Sequence, residues 1–376
     1  MPFVAADAKR LLTMPDEAYA RLAAVLDTIP NGFAHIEDGT HLRVLEWIFT
    51  AEEAELASRL KLRGETAEEI TARLDLPLEE TTELLETMVG KGQISGWMSR
   101  SANARKYALM PFAVGLYEEQ LERMDEEFAR LMEEYFERSK GVPLFSTNPP
   151  IFKIVPVNKS VSTDLIVHPY EQAEKLVETS ASWGVRDCIC KKQKGLIGAP
   201  CSYPMTVCIS LAPRKENAFD DNELTTPISK DEALKLLRDS AEAGLVHCTM
   251  NVQRDQTYIC NCCTCCCGVL RALTEYDQPN AFVDSDFVIS IDADLCSGCG
   301  TCVDRCQFDV LSIPEDISVA DKDRCIGCGV CVIECPENAL TLVPREGRED
   351  VEPPESLIDW MTKKAISRGV DPSELM

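Results

Sequence analysis

Two stretches of the chain repeat one spacing of cysteine. The first is Cys296-x2-Cys299-x2-Cys302-x3-Cys306, and the second is Cys325-x2-Cys328-x2-Cys331-x3-Cys335-Pro336, beginning 29 residues later. Clustered cysteines in a cytosolic chain point to metal or redox chemistry rather than to disulfides. Three thiolates spaced by two residues wrap a tight loop around one [4Fe–4S] cube, and the fourth, at the start of a short helix, points at the other cube. The spacing therefore predicts two clusters with crossed ligands. Cys296, Cys299, Cys302 and Cys335 should hold the first, and Cys325, Cys328, Cys331 and Cys306 the second. Gly298, Gly300, Gly327 and Gly329 should let the loops turn and aim N–H groups at sulfide. A pair of all-cysteine zinc sites is the rival reading, but zinc knuckles do not need two interleaved runs of this kind.

Over about 55 residues, 290–345, this pattern closely resembles the bacterial 2[4Fe–4S] ferredoxins. The resemblance implies a dicluster ferredoxin-like domain. One position departs from it, because Gln307 stands where that family usually has proline after the fourth cysteine. The change is expected to loosen one loop without removing a ligand.

All 19 cysteines lie between Cys188 and Cys335, and eleven precede the ferredoxin-like runs. Cys188-Ile189-Cys190 is followed by Cys201, Cys208 and His247-Cys248. Then Cys260-Asn261-Cys262-Cys263-Thr264-Cys265-Cys266-Cys267-Gly268 packs six cysteines into eight positions. No helix or strand can point all six at one site, so some must be ligands and others packing residues or ligands of a neighbouring metal. We expect at least one further Fe–S cluster. Its ligands would be a subset of Cys188, Cys190, Cys201, Cys208, Cys260, Cys262, Cys263, Cys265, Cys266 and Cys267. A zinc site and inert buried thiols are the alternatives. Residues Gly268–Tyr276 read as helical, which sets this group at a helix N-terminus, where thiolates are favoured. Cys262-Cys263 and Cys266-Cys267-Gly268 resemble the vicinal cysteines of non-cubane cluster sites of the heterodisulfide-reductase type. The whole arrangement is similar to ferredoxin-like proteins of anaerobes that join such a segment to a dicluster module. Lys191, Lys192 and Lys194 would offset cluster charge, meet an anionic partner, or sit in a solvated loop.

The elements that must position these residues predict an α+β chain. Residues 1–145 read as a helical, winged-helix-like docking domain. They hold a leader helix around Leu22, Val25 and Leu26, and short helices at Leu42–Ile48 and Glu53–Leu62. A helix from Thr66 follows, with Glu69 as capping-box partner, then one over Glu79–Gly90. A β-ribbon pairs Gln93–Trp97 with Lys106–Leu109. This order resembles the winged helix-turn-helix of the MarR or TrmB sort. A long charged helix is expected over 113–140, and four prolines make Gly141–Pro156 read as a linker. A cysteine-rich α/β domain follows over 157–285, with helices at Tyr170–Trp183 and Lys230–Ala243. The ferredoxin-like domain covers 286–345, and the tail 346–376 carries an amphipathic helix near Ile358–Ile366.

Charge narrows the function. The net charge is −25, which repels nucleic acid and anionic membrane. The would-be recognition helix carries Glu79, Glu80, Glu83 and Glu86, and only Arg100, Arg105 and Lys106 make the ribbon basic. Phosphate contacts need the opposite sign, so no specific nucleic-acid binding is expected. Nothing approaches 18 consecutive apolar residues, so no membrane insertion is expected. Residues Met1–Asp7 lack a basic region before an apolar core, so no signal peptide is expected and the default location is cytoplasmic. There is no P-loop, no G-x-G-x-x-G and no C-x3-C-x2-C radical-SAM signature. The composite expectation is an electron-transfer protein or subunit. Its partner would be a redox enzyme or multi-subunit oxidoreductase, with a homodimer contact open to the apolar stripe of 113–140. An oxidoreductase with a catalytic middle site and a redox-sensing DNA-binding regulator are the rivals.

Overall fold

Helix starts in the N-terminal part of the chain are fixed by local hydrogen bonds. In the computed structural model, which describes residues 15–99, 103–157, 160–161, 167–347 and 352–372, α1 (Pro15–Thr28), α2 (Thr40–Ile48) and α3 (Ala51–Ala57) are followed by α4 (Ala67–Leu74) and α5 (Leu78–Gly90). Thr50 and Thr66 each open a helix with a full capping box, completed by Glu53 and Glu69. Each box satisfies two amides that the helix itself leaves orphaned. The ribbon of β1 (Ser95–Ser99) and β2 (Ala104–Ala108) is antiparallel, with Trp97 opposite Lys106. Glu65 adds a bridge to Tyr107 on the far side of β2. Arg100, expected in the ribbon, lies outside the described residues.

The single long helix expected over 113–140 does not form. Phe112–Gln120 is a series of short irregular turns, and α6 covers only Glu126–Ser139. Asp125 sets the new start, because its carboxylate accepts the Phe128 N–H at 2.9 Å, and an extended N-cap residue begins a helix afresh. The apolar stripe goes into this unit's own core. Leu116, Leu121, Met124 and Phe128 are buried, and Trp47 stacks on Phe128 with ring centroids 4.1 Å apart.

The described chain divides into two units, one formed by the segments up to Leu144 and from Lys364, the other by Phe145–Lys363. The cysteine-rich segment and the ferredoxin-like segment, expected as separate domains, fall in the same unit. Its order is β3 (Phe152–Val155), α7 (Ala173–Glu178), β4 (Ser182–Asp187), α8 (Ile189–Leu196), β5 (Thr206–Ala212), β6 (Thr226–Ile228), α9 (Lys230–Glu242), β7 (Val246–Met250), β8 (Tyr258–Cys262), α10 (Gly268–Thr274) and β9 (Phe282–Val283). These strands form a sheet in the order β6-β4-β5-β8-β7-β3-β9, antiparallel except where β3 meets β9. β3 corrects the linker reading of Gly141–Pro156. Its four residues are all buried, because the short run between the prolines supplies a strand paired on both sides, by β7 and β9.

The helix expected over Tyr170–Trp183 is also shorter than the pattern suggested. Thr179 and Ser180 turn their hydroxyls back onto the Lys175 and Leu176 carbonyls at 2.8 and 2.9 Å and close the helix at Glu178. Trp183 lies instead in β4, opposite Leu211 of β5. Helices α7 and α9 bury Leu176, Val177, Ala233 and Leu237 against Ile209, Leu211 and Ile259 of the sheet.

The remaining elements are β10 (Phe287–Ile291), α11 (Thr301–Arg305), β11 (Leu311–Ser312), β12 (Val319–Ala320), β13 (Leu340–Pro344) and α12 (Leu357–Arg368). β10 pairs with β13 and β11 with β12, both antiparallel. Among the described residues, no helix is long and apolar enough to cross a membrane.

A buried ion cluster ties the sheet to the start of the ferredoxin-like segment. Lys153 of β3 places Nζ 3.1 Å from Glu171 and 3.5 Å from Asp286, which directly precedes β10. The Asp286 N–H also donates to Glu171 at 2.9 Å. Burial pushes the Glu171 carboxyl up to about 7 even though Lys153 pulls it down. Removing the ammonium would leave two carboxylates in a poorly solvated place. Lys153→Met should cost this unit about 3–5 kcal/mol, measured as the shift in denaturant unfolding of the full chain. A cost under about 1 kcal/mol would mean that the cluster does not hold the segment.

Candidate metal centres

The two ferredoxin-like loops share a backbone device. Gly298 and Gly327, each just before the second cysteine of its run, have φ of +64° and +71°. A Cβ would come within 2.3 Å of the Asp316 carbonyl at Gly298 and 2.2 Å of the Phe287 carbonyl at Gly327. Only glycine fits both demands, and the loops therefore curl tightly enough for three thiols to face inward.

One cavity is lined by Cys296, Cys299, Cys302 and Cys335, closed by Ile313, Ser318 and Leu340. The fourth cysteine lining this cavity comes from the second run. On the other side, Cys325, Cys328 and Cys331 all lie within electrostatic reach of Cys306 of the first run. Hydrogen bonds surround the first quartet. The Ser318 N–H donates to Cys296 Sγ at 3.4 Å, and the Ala339 N–H to Cys335 Sγ at 3.3 Å. Cys302 Sγ lies 3.3 Å from Ser318 Oγ. Hydrogen bonds with Thr301 hold the exposed Cys299 thiol below its usual range, whereas burial pushes Cys328 up to about 12. The first quartet therefore reaches solvent at Cys299, while Cys325 and Cys331 of the second are buried.

The eleven other cysteines separate into two groups. Strand alternation builds the first. Ile209 of β5 faces Ile259 of β8, and Cys248 of β7 faces Cys260 of β8. Cys208, Cys260, Cys262 and Cys248 consequently lie on the face opposite Ile209 and Ile259. Cys188 at the N-cap of α8, Cys190 in its first turn and Cys267 at the N-cap of α10 come down on that row. The contacts close a ring. Cys188 couples electrostatically to Cys190 and Cys208, Cys190 to Cys267, Cys267 to Cys262, Cys262 to Cys260, and Cys260 to Cys208. Cys248 joins it at Cys262.

Thiols so packed cannot all ionise. Hydrogen bonds from Cys190 and Cys208 hold Cys188 well below the usual thiol range. Its neighbours Cys190 and Cys208 are driven well above it, chiefly through their hydrogen bonds with Cys188 and then by burial. A donor set of this kind fits a soft metal centre, which neutralises buried thiolate charge. Of the readings open to Lys191, the solvated loop does not hold: it is buried in α8, with Nζ 2.6 Å from the Pro204 carbonyl and its charge acting on Cys188.

The second group is Cys201, Cys263, Cys265 and Cys266, whose sulfurs all lie within 4.8 Å of one another. Cys263 and Cys266 pack against Val207 and Leu245, and Val207 alternates with Cys208 along β5. The six cysteines of 260–267 thus divide three and three. Sequence reading passed over Cys248 as a site residue, and its only signal was its alternation within β7. Gln307, expected from sequence to loosen a loop, instead ties two segments together. Its Oε1 accepts the Thr264 N–H at 2.8 Å, and its Nε2 donates to the Gly244 carbonyl at 2.6 Å. Proline at that position would make neither bond.

Residues 289–312 and 319–341 match the family model described as the 4Fe-4S binding domain. Two repeats of that domain carry two [4Fe–4S] clusters, and two inward-facing groups of four thiols fit them in number and donor type. No curated protein and no solved structure matches the chain.

Crossed ligation has a direct test. Cys306→Ala should remove or convert the cluster associated with Cys325, Cys328 and Cys331, and Cys335→Ala the one associated with Cys296, Cys299 and Cys302. EPR of the reduced variants, each paired with a serine substitution in one loop, separates the two. If Cys306→Ala and Cys299→Ser damage the same signal, the ligands are not crossed.

Proposed function

We propose that the protein relays single electrons between a redox enzyme, or a multi-subunit oxidoreductase, and a carrier. The observation that carries this reading is the continuity of the thiol groups. Cys248 lies within electrostatic reach of Cys328, and Cys331 within reach of Cys302. The series therefore runs from the buried ring through the second quartet to the exposed Cys299. A [4Fe–4S] cluster supplies one-electron redox chemistry at a potential tuned by hydrogen bonds and exposure. Ser318, Thr301 and Ala339 supply such bonds on one side, and burial of Cys325 and Cys331 excludes water on the other. A further Fe–S cluster takes its ligands from Cys188, Cys190, Cys208, Cys260, Cys262 and Cys267, with Lys191 offsetting part of the thiolate charge.

The N-terminal unit is read as a winged-helix-like docking module that does not bind DNA specifically. Glu79, Glu80 and Glu83 are exposed on α5, and residues 1–140 carry 16 Lys and Arg against 27 Asp and Glu. Such a face repels phosphate and attracts a basic patch on a partner enzyme. Leu116, Leu121, Met124 and Phe128 pack into the unit's own core. A catalytic middle site is the second reading. It is favoured by the open groove where exposed Cys265 lies beside Gln307, Phe308 and Arg324.

Anaerobically purified protein should contain at least about eight acid-labile sulfides per chain for two cubes, and more than about ten if the ring also holds a cluster. EPR after reduction should show interacting one-electron centres. Sulfide near eight would sink the further cluster, and sulfide well below eight would sink the whole reading. Duplex DNA should bind weakly and without sequence preference, even at low salt. Tight, sequence-selective binding would favour a regulator instead.

A further inference from the structure

The geometry points to a second kind of metal site in the middle segment: Cys201, Cys263, Cys265 and Cys266 hold one tetrahedral thiophilic ion, zinc or iron, and are not ligands of an Fe–S cluster. The sulfur spacing carries the argument. Cys201 Sγ lies 3.6 Å from Cys263 Sγ and 3.6 Å from Cys265 Sγ. Cys265 Sγ lies 3.3 Å from Cys263 Sγ and 3.6 Å from Cys266 Sγ. A four-coordinate ion with metal–sulfur bonds of about 2.3 Å sets its thiolates about 3.8 Å apart. In a cube each cysteine binds its own iron, so the four sulfurs stand much further apart.

The same chain supplies the comparison. Among the described residues this is the one group of thiols drawn together within 4.8 Å, and neither ferredoxin-like quartet closes up in this way. The separations are also far too long for disulfide bonds, and all four thiols are free.

The local backbone explains how three ligands come from four residues. The Cys266 and Cys267 amides both donate to the Cys263 carbonyl, at 3.4 and 3.0 Å. That turn brings the thiols of 263, 265 and 266 to one side, while Cys260, Cys262 and Cys267 at its two ends face the ring. Cys201 arrives from a segment 62 residues earlier in sequence, so a bound ion would pin the cysteine-dense loop to the stretch between α8 and β5. An all-sulfur tetrahedral donor set selects zinc or iron over oxygen-loving cations.

The test uses the full chain, purified without oxygen, with zinc, iron and acid-labile sulfide counted per chain. Wild type should hold one metal ion beyond the iron matched by sulfide. Cys265→Ser changes an exposed side chain and should lose that ion, with at least tenfold weaker retention against a chelator, while sulfide stays at the wild-type level. Cys201→Ser, from the distant segment, should do the same. If the ion is zinc, absorption at the zinc edge should show four sulfurs at about 2.3 Å. If it is iron, the oxidised wild type should show a high-spin ferric tetrathiolate signal that both variants lack. Sulfide falling together with metal in either variant would make these residues cluster ligands and overturn the proposal. So would a metal count unchanged in both variants, or no excess metal in wild type. Failure of the electron-transfer reading would appear elsewhere, as missing sulfide in the wild type.

Discussion

Side chains along a β-strand alternate between its two faces, and this constraint organises the whole metal-bearing unit. In β5 Ile209 and Leu211 face the helices α7 and α9 and Val207 packs against Leu245, so Cys208 must face away from them. In β8 the same rule separates Ile259 and Asn261 from Cys260 and Cys262. Because β5, β8 and β7 are neighbours in register, the even-numbered face becomes one row of thiols and the odd-numbered face becomes apolar core. A slip of one residue in β8 would exchange cysteine for isoleucine on both faces. The hydrophobic core and the metal donors are therefore fixed by the same pairing.

Buried thiols next to one another carry an electrostatic cost that packing alone does not remove. A low-dielectric interior disfavours each thiolate, and neighbouring negative charges disfavour it further. Lys191 of α8 is a buried cation beside the ring, held by the Pro204 carbonyl. Metal ions are the counter-charge that such donor sets fit, which couples filling of the sites to stability of the unit. The acidic exterior follows a different logic. A net charge of −25 gives the exterior a negative field whose reach shortens as salt rises.

Continuity between the middle segment and the ferredoxin-like loops rests on a few polar contacts. Gln307 bonds both the Thr264 amide and the Gly244 carbonyl. Arg305 donates to the carbonyls of Ala241, Glu242 and Val330. These residues flank Cys306, so that thiol sits on a segment anchored to the end of α9. Lys153, Glu171 and Asp286 do the same work at the start of β10.

The sequence alone determined whatever depends on short-range spacing. The C-x2-C-x2-C-x3-C runs specify two tightly curled cysteine loops within a few residues, because a cube needs its thiols at fixed offsets. Thr66 with Glu69, and the helices ending at Leu74 and Gly90, were legible for the same reason, since caps are local hydrogen bonds. Where an element depended on partners distant in sequence, pattern reading failed. Trp183 reads as the end of a helix but is claimed by β5. Phe152–Val155 reads as linker but is claimed by β7, and Asp125 splits an apparently continuous helix. The division of the eleven middle cysteines is the plainest case. Neither the ring nor the close quartet has any sequence spacing of its own. Cys201 meets Cys263, and Cys208 meets Cys260, only because antiparallel pairing brings segments more than fifty residues apart to the same place.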